Sequence, residues 1–142
     1  MKIKGKIINS LNGANLTLKK QKKLFIDLGL PKVKDLFLGT INVQLDNSQY
    51  TIKKLDYTYW GVVWERHPHG GPKKCDTFGF IKIKKIVYED KTYSNPGYLY
   101  FPSGSPHLAY RTTLELYCKK LANVKAGNDI EIEIANGLLK IE

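Results

Sequence analysis

Apolar and polar residues alternate strictly in two stretches of this chain. One is Gly39-Thr40-Ile41-Asn42-Val43-Gln44-Leu45 and the other is Asp129-Ile130-Glu131-Ile132-Glu133-Ile134. Successive side chains leave a strand on opposite faces. Ile41, Val43 and Leu45 therefore point into a core, while Thr40, Asn42 and Gln44 share the other face. Period-two patterning of this kind commits a segment to a half-buried strand and excludes a helix there.

The remaining segments extend the theme. Residues 2–9 read as a first strand with Ile3, Ile7 and Ile8 apolar, and Ser10-Leu11-Asn12-Gly13-Ala14-Asn15 reads as a turn. Thr17 is placed to cap a helix over about residues 17–28, with Leu18, Leu24, Phe25 and Leu28 apolar. Gly29 and Pro31 stop it. Its other face carries Lys19, Lys20, Gln21, Lys22 and Lys23.

Residues 57–65 are aromatic and β-prone, 77–88 interleave isoleucines with lysines, and 98–101 and 112–117 are further strands. Residues 119–123 are read as one helical turn. Ala135-Asn136-Gly137 is read as a hairpin turn joining 129–134 to 138–141. Many short strands, one substantial helix and no β-α-β rhythm predict a mainly β fold, a small closed β-barrel with hairpin additions.

At 142 residues, one domain spanning 1–142 is expected. No apolar run reaches the length of a membrane-spanning helix. The first residues, Met1-Lys2-Ile3-Lys4-Gly5, lack the apolar stretch of a signal peptide. Cys75 and Cys118 do not make a disulfide framework, so a cytoplasmic location is expected.

The 23 Lys and Arg residues outnumber 13 Asp and Glu, giving a formal charge of +10. That excess attracts anions: nucleotide phosphates, nucleic acid or acidic surfaces. Arg66 and Arg111 are the only arginines. Base-specific reading favours arginine forks, so sequence-specific DNA recognition is not the expected use of this charge.

Thr40 and Asn42 present two neutral oxygen side chains just after a glycine. Mg²⁺ bound to a nucleotide needs few protein oxygens, since phosphates and water supply the rest. An ordinary amphipathic strand accounts for the same spacing. His67, His69 and Cys75 are ligand types suited to zinc, but no fourth ligand is in view and a plain surface loop fits as well. Trp60 and Trp64 suit either stacking on a planar ring or a place in the core.

Taken in order, several motifs carry a resemblance. They are the Gly39-Thr40-Ile41-Asn42 strand, Phe78-Gly79, the span from Gly97 to Pro102, Leu114-Glu115-Leu116, and Val124-Lys125-Ala126-Gly127-Asn128-Asp129-Ile130-Glu131-Ile132. Over about residues 4–134 the chain resembles the archaeal-type, CTP-dependent riboflavin kinases. The resemblance implies a closed six-stranded cradle-loop-type β-barrel with one main helix. It also implies transfer of the CTP γ-phosphoryl group to riboflavin, giving FMN. Thr40 and Asn42 match the family's Mg²⁺-binding positions.

By the same resemblance, the nucleotide is held by Ser10, Leu11, Asn12, Gly13, Ala14 and Asn15, and by Lys119, Lys120, Leu121 and Ala122. Glu115 and His107 fall at the flavin-contacting positions. The first loop keeps a single glycine, and His107 stands where the family has threonine. Those departures favour an alternative, a non-catalytic barrel that binds a nucleotide or another small anion. A nucleic-acid-binding barrel is a third reading, favoured by the charge but in no need of the Gly-Thr-Ile-Asn strand.

Overall fold

A computed structural model describes residues 1–10, 16–37, 39–65, 73–103 and 111–142. The chain is mainly β, with one α-helix among the described residues. The order is β1 (Lys2–Ser10), α1 (Leu16–Leu28), a 3₁₀ turn (Val33–Asp35), β2 (Ile41–Leu45), β3 (Tyr50–Ile52), β4 (Tyr57–Trp64), β5 (Lys74–Tyr88), β6 (Lys91–Pro102), β7 (Thr113–Cys118), β8 (Asp129–Ile134) and β9 (Leu139–Ile141).

Seven strands lie in the order β4-β5-β6-β7-β2-β1-β8, and an added β5–β8 pairing closes six of them into a ring. Every pairing is antiparallel. β5 makes closure possible because it is 15 residues long and irregular between Ile83 and Lys85. One of its edges pairs with β4 over Lys74 to Phe80 and with β8 over Ile83 to Val87. The other edge holds β6 along its whole length. A bulge bends a strand and sharpens its twist, so one strand turns from the outlying β4 into the ring.

The ring encloses an aliphatic core. Ile3, Ile7, Val43, Ile81, Ile86, Leu99, Leu114, Leu116, Ile132 and Ile134 are all buried in it. The expected division of β2 holds: Ile41, Val43 and Leu45 join this cluster. A second, aromatic cluster lies on the outer face of the sheet, where α1 packs. Phe25 sits at its centre, edge-on to Phe78, Phe80 and Tyr100 at 5.1–5.7 Å between ring centroids.

Gly29 ends the helix in a left-handed conformation (φ 90°). Its N–H bonds Ile26 O at 3.1 Å and the Leu30 N–H bonds Phe25 O at 3.0 Å, the Schellman pair. The Leu30 side chain turns back into the aromatic cluster.

Four expectations are corrected. The helix begins at Leu16, so Thr17 lies inside it; a capping residue must stand outside the helical backbone. Residues 129–134 and 139–141 do not form a hairpin with each other. β8 has both edges taken by β1 and β5, and β9 pairs with β3 instead. Residues 119–123 form turns and no helix. β6 begins at Lys91, seven residues before the expected strand. Asn95-Pro96-Gly97 is the irregular segment opposite the Ile83–Lys85 bulge. Gly97 is required there: a Cβ would run into the Tyr117 carbonyl oxygen and Cys118 Cα of the adjacent strand.

Candidate functional site

Register determines which side chains meet on the outer face. Tyr57 pairs with Phe80, Phe80 with Tyr100, Asn42 with Glu115 and Asn9 with Asn42. The β6–β7 register, continued one step from Leu99↔Leu116, sets Tyr100 against Glu115. One row therefore crosses six strands: Tyr57, Phe80, Tyr100, Glu115, Asn42, Asn9. Its first half is aromatic and its second half is polar.

The polar half holds Thr40 at 1% exposure and Asn42 at 5%. Both lie deeper than an open strand face would place them. Asn42 Nδ2 donates to Asn9 Oδ1. Three buried side-chain polar atoms lack a partner among the described residues: Thr40 Oγ1, Asn42 Oδ1 and the Tyr117 hydroxyl. All three belong to the same face of the β2–β7 pair, because Tyr117 lies two residues beyond Glu115 and one step of register beyond Ile41↔Leu116 opposes it to Thr40. Leaving such atoms unpaired is costly, about 1–3 kcal/mol each. A native chain keeps them where a ligand, ion or water completes them.

Glu115 adds a carboxylate beside them. Burial pushes its pKa up, and the Thr40 hydroxyl stands near enough to pull it partly back without forming a hydrogen bond of normal geometry. Burial also pushes Tyr100 upward, with the Glu115 charge acting in the same direction. Tyr100 still finds a partner, donating to Gln21 Oε1 of α1 at 3.0 Å.

Next to this face is a cleft of about 260 Å³. Its walls include Phe37, Thr40, Cys118, Lys119, Lys120 and Val124. Lys120 Nζ stands 5.7 Å from the centre of the Phe37 ring. The Phe37 N–H bonds Cys118 O at 2.9 Å and the Lys119 N–H bonds Pro96 O at 2.8 Å. These bonds fix the lysines beside Thr40. Cys118 is no nucleophile here, because burial pushes its thiol up to about 12. A larger open hollow of about 640 Å³ lies at the far end of β2, around Gln44, Asp46, Ser48, Gln49 and Glu142. None of the three unpartnered atoms belongs to it.

The structure thus brings Thr40, Asn42 and Glu115 to one face, with Lys119, Lys120 and Leu121 lining the adjoining cleft. Ala122 is half-buried just beyond, its N–H directed at the Tyr93 hydroxyl at 3.3 Å. Ser10 ends β1 opposite Ile41. Leu11, Asn12, Gly13, Ala14, Asn15 and His107 lie outside the described residues, as do His67 and His69. Cys75 is exposed. Among the described residues no group of three His, Cys, Asp or Glu side chains converges on a metal position.

The two tryptophans divide. Trp64 is buried and donates to Asp76 Oδ2 at 2.9 Å, while Trp60 is 79% exposed. Sequence reasoning did not find Asn9 or Tyr117. Asn9 becomes visible only through the β1–β2 register, which shifts between Ile7 and Asn9. Tyr117 shares the alternation of Glu115, but nothing in the sequence says that β7 lies beside β2. No protein-family model matches this chain, and no curated protein matches it.

Proposed function

We propose that this chain is a phosphotransferase of the CTP-dependent riboflavin kinase kind, built on a closed cradle-loop β-barrel. The observation that carries the reading is the pair of unpartnered buried oxygens on Thr40 and Asn42, of which Thr40 borders a cleft also lined by Lys119 and Lys120. Both are neutral, hard donors, and Nδ2 of Asn42 is already committed to Asn9. Such a pair fits Mg²⁺, whose other ligands come from phosphates and water. When bound, the cation neutralises charge on the transferring phosphoryl group.

In this reading, the terminal ribityl hydroxyl of riboflavin attacks the γ-phosphorus of CTP. A new O–P bond forms and the bond to the β–γ bridging oxygen breaks. CDP leaves with the electron pair, and the hydroxyl proton passes to solvent. Lys119 and Lys120 act as point charges on the nucleotide phosphates. Glu115 anchors the flavin. Such transfers depend mostly on positioning and charge stabilisation.

A thermal-shift panel of nucleoside triphosphates and flavins, with and without Mg²⁺, tests the reading, because a ligand that binds only the native state raises its stability. The expected result is Mg²⁺-dependent stabilisation by CTP and by riboflavin, with FMN formed when both are present. Binding without FMN formation promotes the non-catalytic ligand-binding barrel, which the single-glycine first loop and His107 favour. Stabilisation by oligonucleotides alone refutes both.

A further inference from the structure

Tyr117 has no role in the reading above, yet it is the most deeply placed polar group on the site face, at 0% exposure. Other buried tyrosines have partners. Tyr98 donates to Pro31 O at 2.6 Å, Tyr100 to Gln21 Oε1 at 3.0 Å and Tyr88 to Asn123 O at 2.7 Å. Tyr117 alone of these four has an unpaired hydroxyl among the described residues. A phenylalanine there would fill the same space, pack as well against Phe25 and Tyr100, and leave no buried polar atom unpaired.

Position gives that hydroxyl a direction of use. Along β7 and just past its end, Glu115, Tyr117 and Lys119 follow at alternate residues. Across the ladder, Glu115 faces Asn42, and the next step sets Tyr117 against Thr40. The Glu115–Asn42 end offers acceptors, namely a carboxylate and an amide oxygen. The Tyr117–Lys119 end offers donors. Burial pushes the Tyr117 hydroxyl far above its ordinary range, so it keeps its proton at neutral pH. Tyr117 does not line the cleft that Thr40 and Lys119 border; its ring packs against Phe25 and Tyr100, and its hydroxyl belongs to the same face, opposite Thr40 one register step beyond Ile41↔Leu116.

We propose that Tyr117 is a further ligand-binding residue, its hydroxyl donating to a phosphoryl oxygen of the group held at Thr40 and Asn42. This rests on the reading that the site takes a phosphate-bearing ligand, and it adds a donor that the reading does not assign.

The test compares wild type, Tyr117→Phe and the control Tyr98→Phe. Binding of magnesium tripolyphosphate and of magnesium CTP is followed by calorimetry, and FMN formation is assayed in parallel. Loss of one buried donor to an anion should weaken both ligands about tenfold in Tyr117→Phe, with an unliganded melting temperature equal to or above wild type. Tyr98→Phe should melt lower but bind as wild type does. In wild-type protein labelled at tyrosine Cζ, the Tyr117 resonance should shift on adding magnesium tripolyphosphate.

Unchanged affinity in Tyr117→Phe, with an unmoved Tyr117 resonance, overturns the proposal even if FMN is formed. Weakened tripolyphosphate binding without FMN formation sustains it while removing the kinase reading. Failure of wild type to bind either phosphate compound overturns both.

Discussion

The aromatic and polar halves of the outer sheet face share one cross-strand row but are finished differently. Phe80 and Tyr100 are closed by Phe25 from α1, ring against ring, Tyr57 packs edge-on to Tyr98, and the Tyr100 hydroxyl is satisfied by Gln21. Glu115, Asn42 and Asn9 continue the same row, yet with Thr40 and Tyr117 they leave three buried polar atoms unmatched. Edge-to-face aromatic contacts add to an already large apolar burial. Unpaired buried oxygens subtract from stability. One half of the face therefore holds the molecule together. The other carries a cost that a ligand can offset.

The largest effect should come from emptying the aromatic half. Phe25→Ala removes the ring that touches Phe78, Phe80, Tyr100 and Tyr117. It should cost about 3–5 kcal/mol in urea unfolding, as large-to-small changes of buried aromatics do. A loss below about 1 kcal/mol would mean that α1 is not what stabilises this face.

Asn42→Ala probes the polar half and should divide its effects the other way. If the proposed phosphotransfer holds, turnover should fall at least tenfold under saturating Mg²⁺, which is about 1.4 kcal/mol of transition-state stabilisation. Stability should change by no more than about 1 kcal/mol, because the lost bond to Asn9 is offset by removing an unpaired carbonyl. Equal turnover in mutant and wild type removes Asn42 from the cation site.

Glu115→Gln gives a smaller effect with a defined pH sign. The folded-state pKa of Glu115 lies above its ordinary value of 4.5 because of burial. Between 4.5 and that raised value the folded state holds the extra proton, so stability contributed by this group falls as pH rises. The glutamine variant should melt higher than wild type at neutral pH, and the difference should vanish below pH 4.5. A mutant that melts lower at neutral pH would show that the carboxylate is compensated by a partner and is no burden to the fold.

The smallest effect is expected at Trp60. It is the most exposed large hydrophobic residue among those described, and it sits beside a break in the β4–β5 register. Trp60→Ser should alter stability by no more than about 0.5 kcal/mol and leave binding at the site unchanged. A loss of nucleotide or flavin affinity would extend the site to β4.

Much of this comparison was legible in the sequence at the level of single strands. The alternation in 40–45 placed Ile41, Val43 and Leu45 inward, and the Phe25 stripe with Gly29 located the helix and its stop. The start of β6 was placed seven residues late, because Asn95-Pro96-Gly97 interrupts the local strand pattern, and here that segment sits in the irregular stretch of the β5–β6 pairing. The final strand was assigned to the wrong neighbour for a related reason. A hairpin is the default for two strands joined by Asn-Gly, but β8 already had a partner on each edge.

The sequence by itself determined which residues alternate, where the helix ends and which residue types, Thr40, Asn42 and Glu115, carry oxygen chemistry. Those properties depend on neighbours one to four positions away. Tertiary structure alone decided that β7 lies beside β2, so that Glu115 meets Asn42, and that Asn9 ties back Asn42. It also decided that the Tyr117 hydroxyl, Thr40 Oγ1 and Asn42 Oδ1 find no partner among the described residues on one face. Register between strands distant in the chain is fixed by packing of the whole aliphatic ring, and no local pattern encodes it.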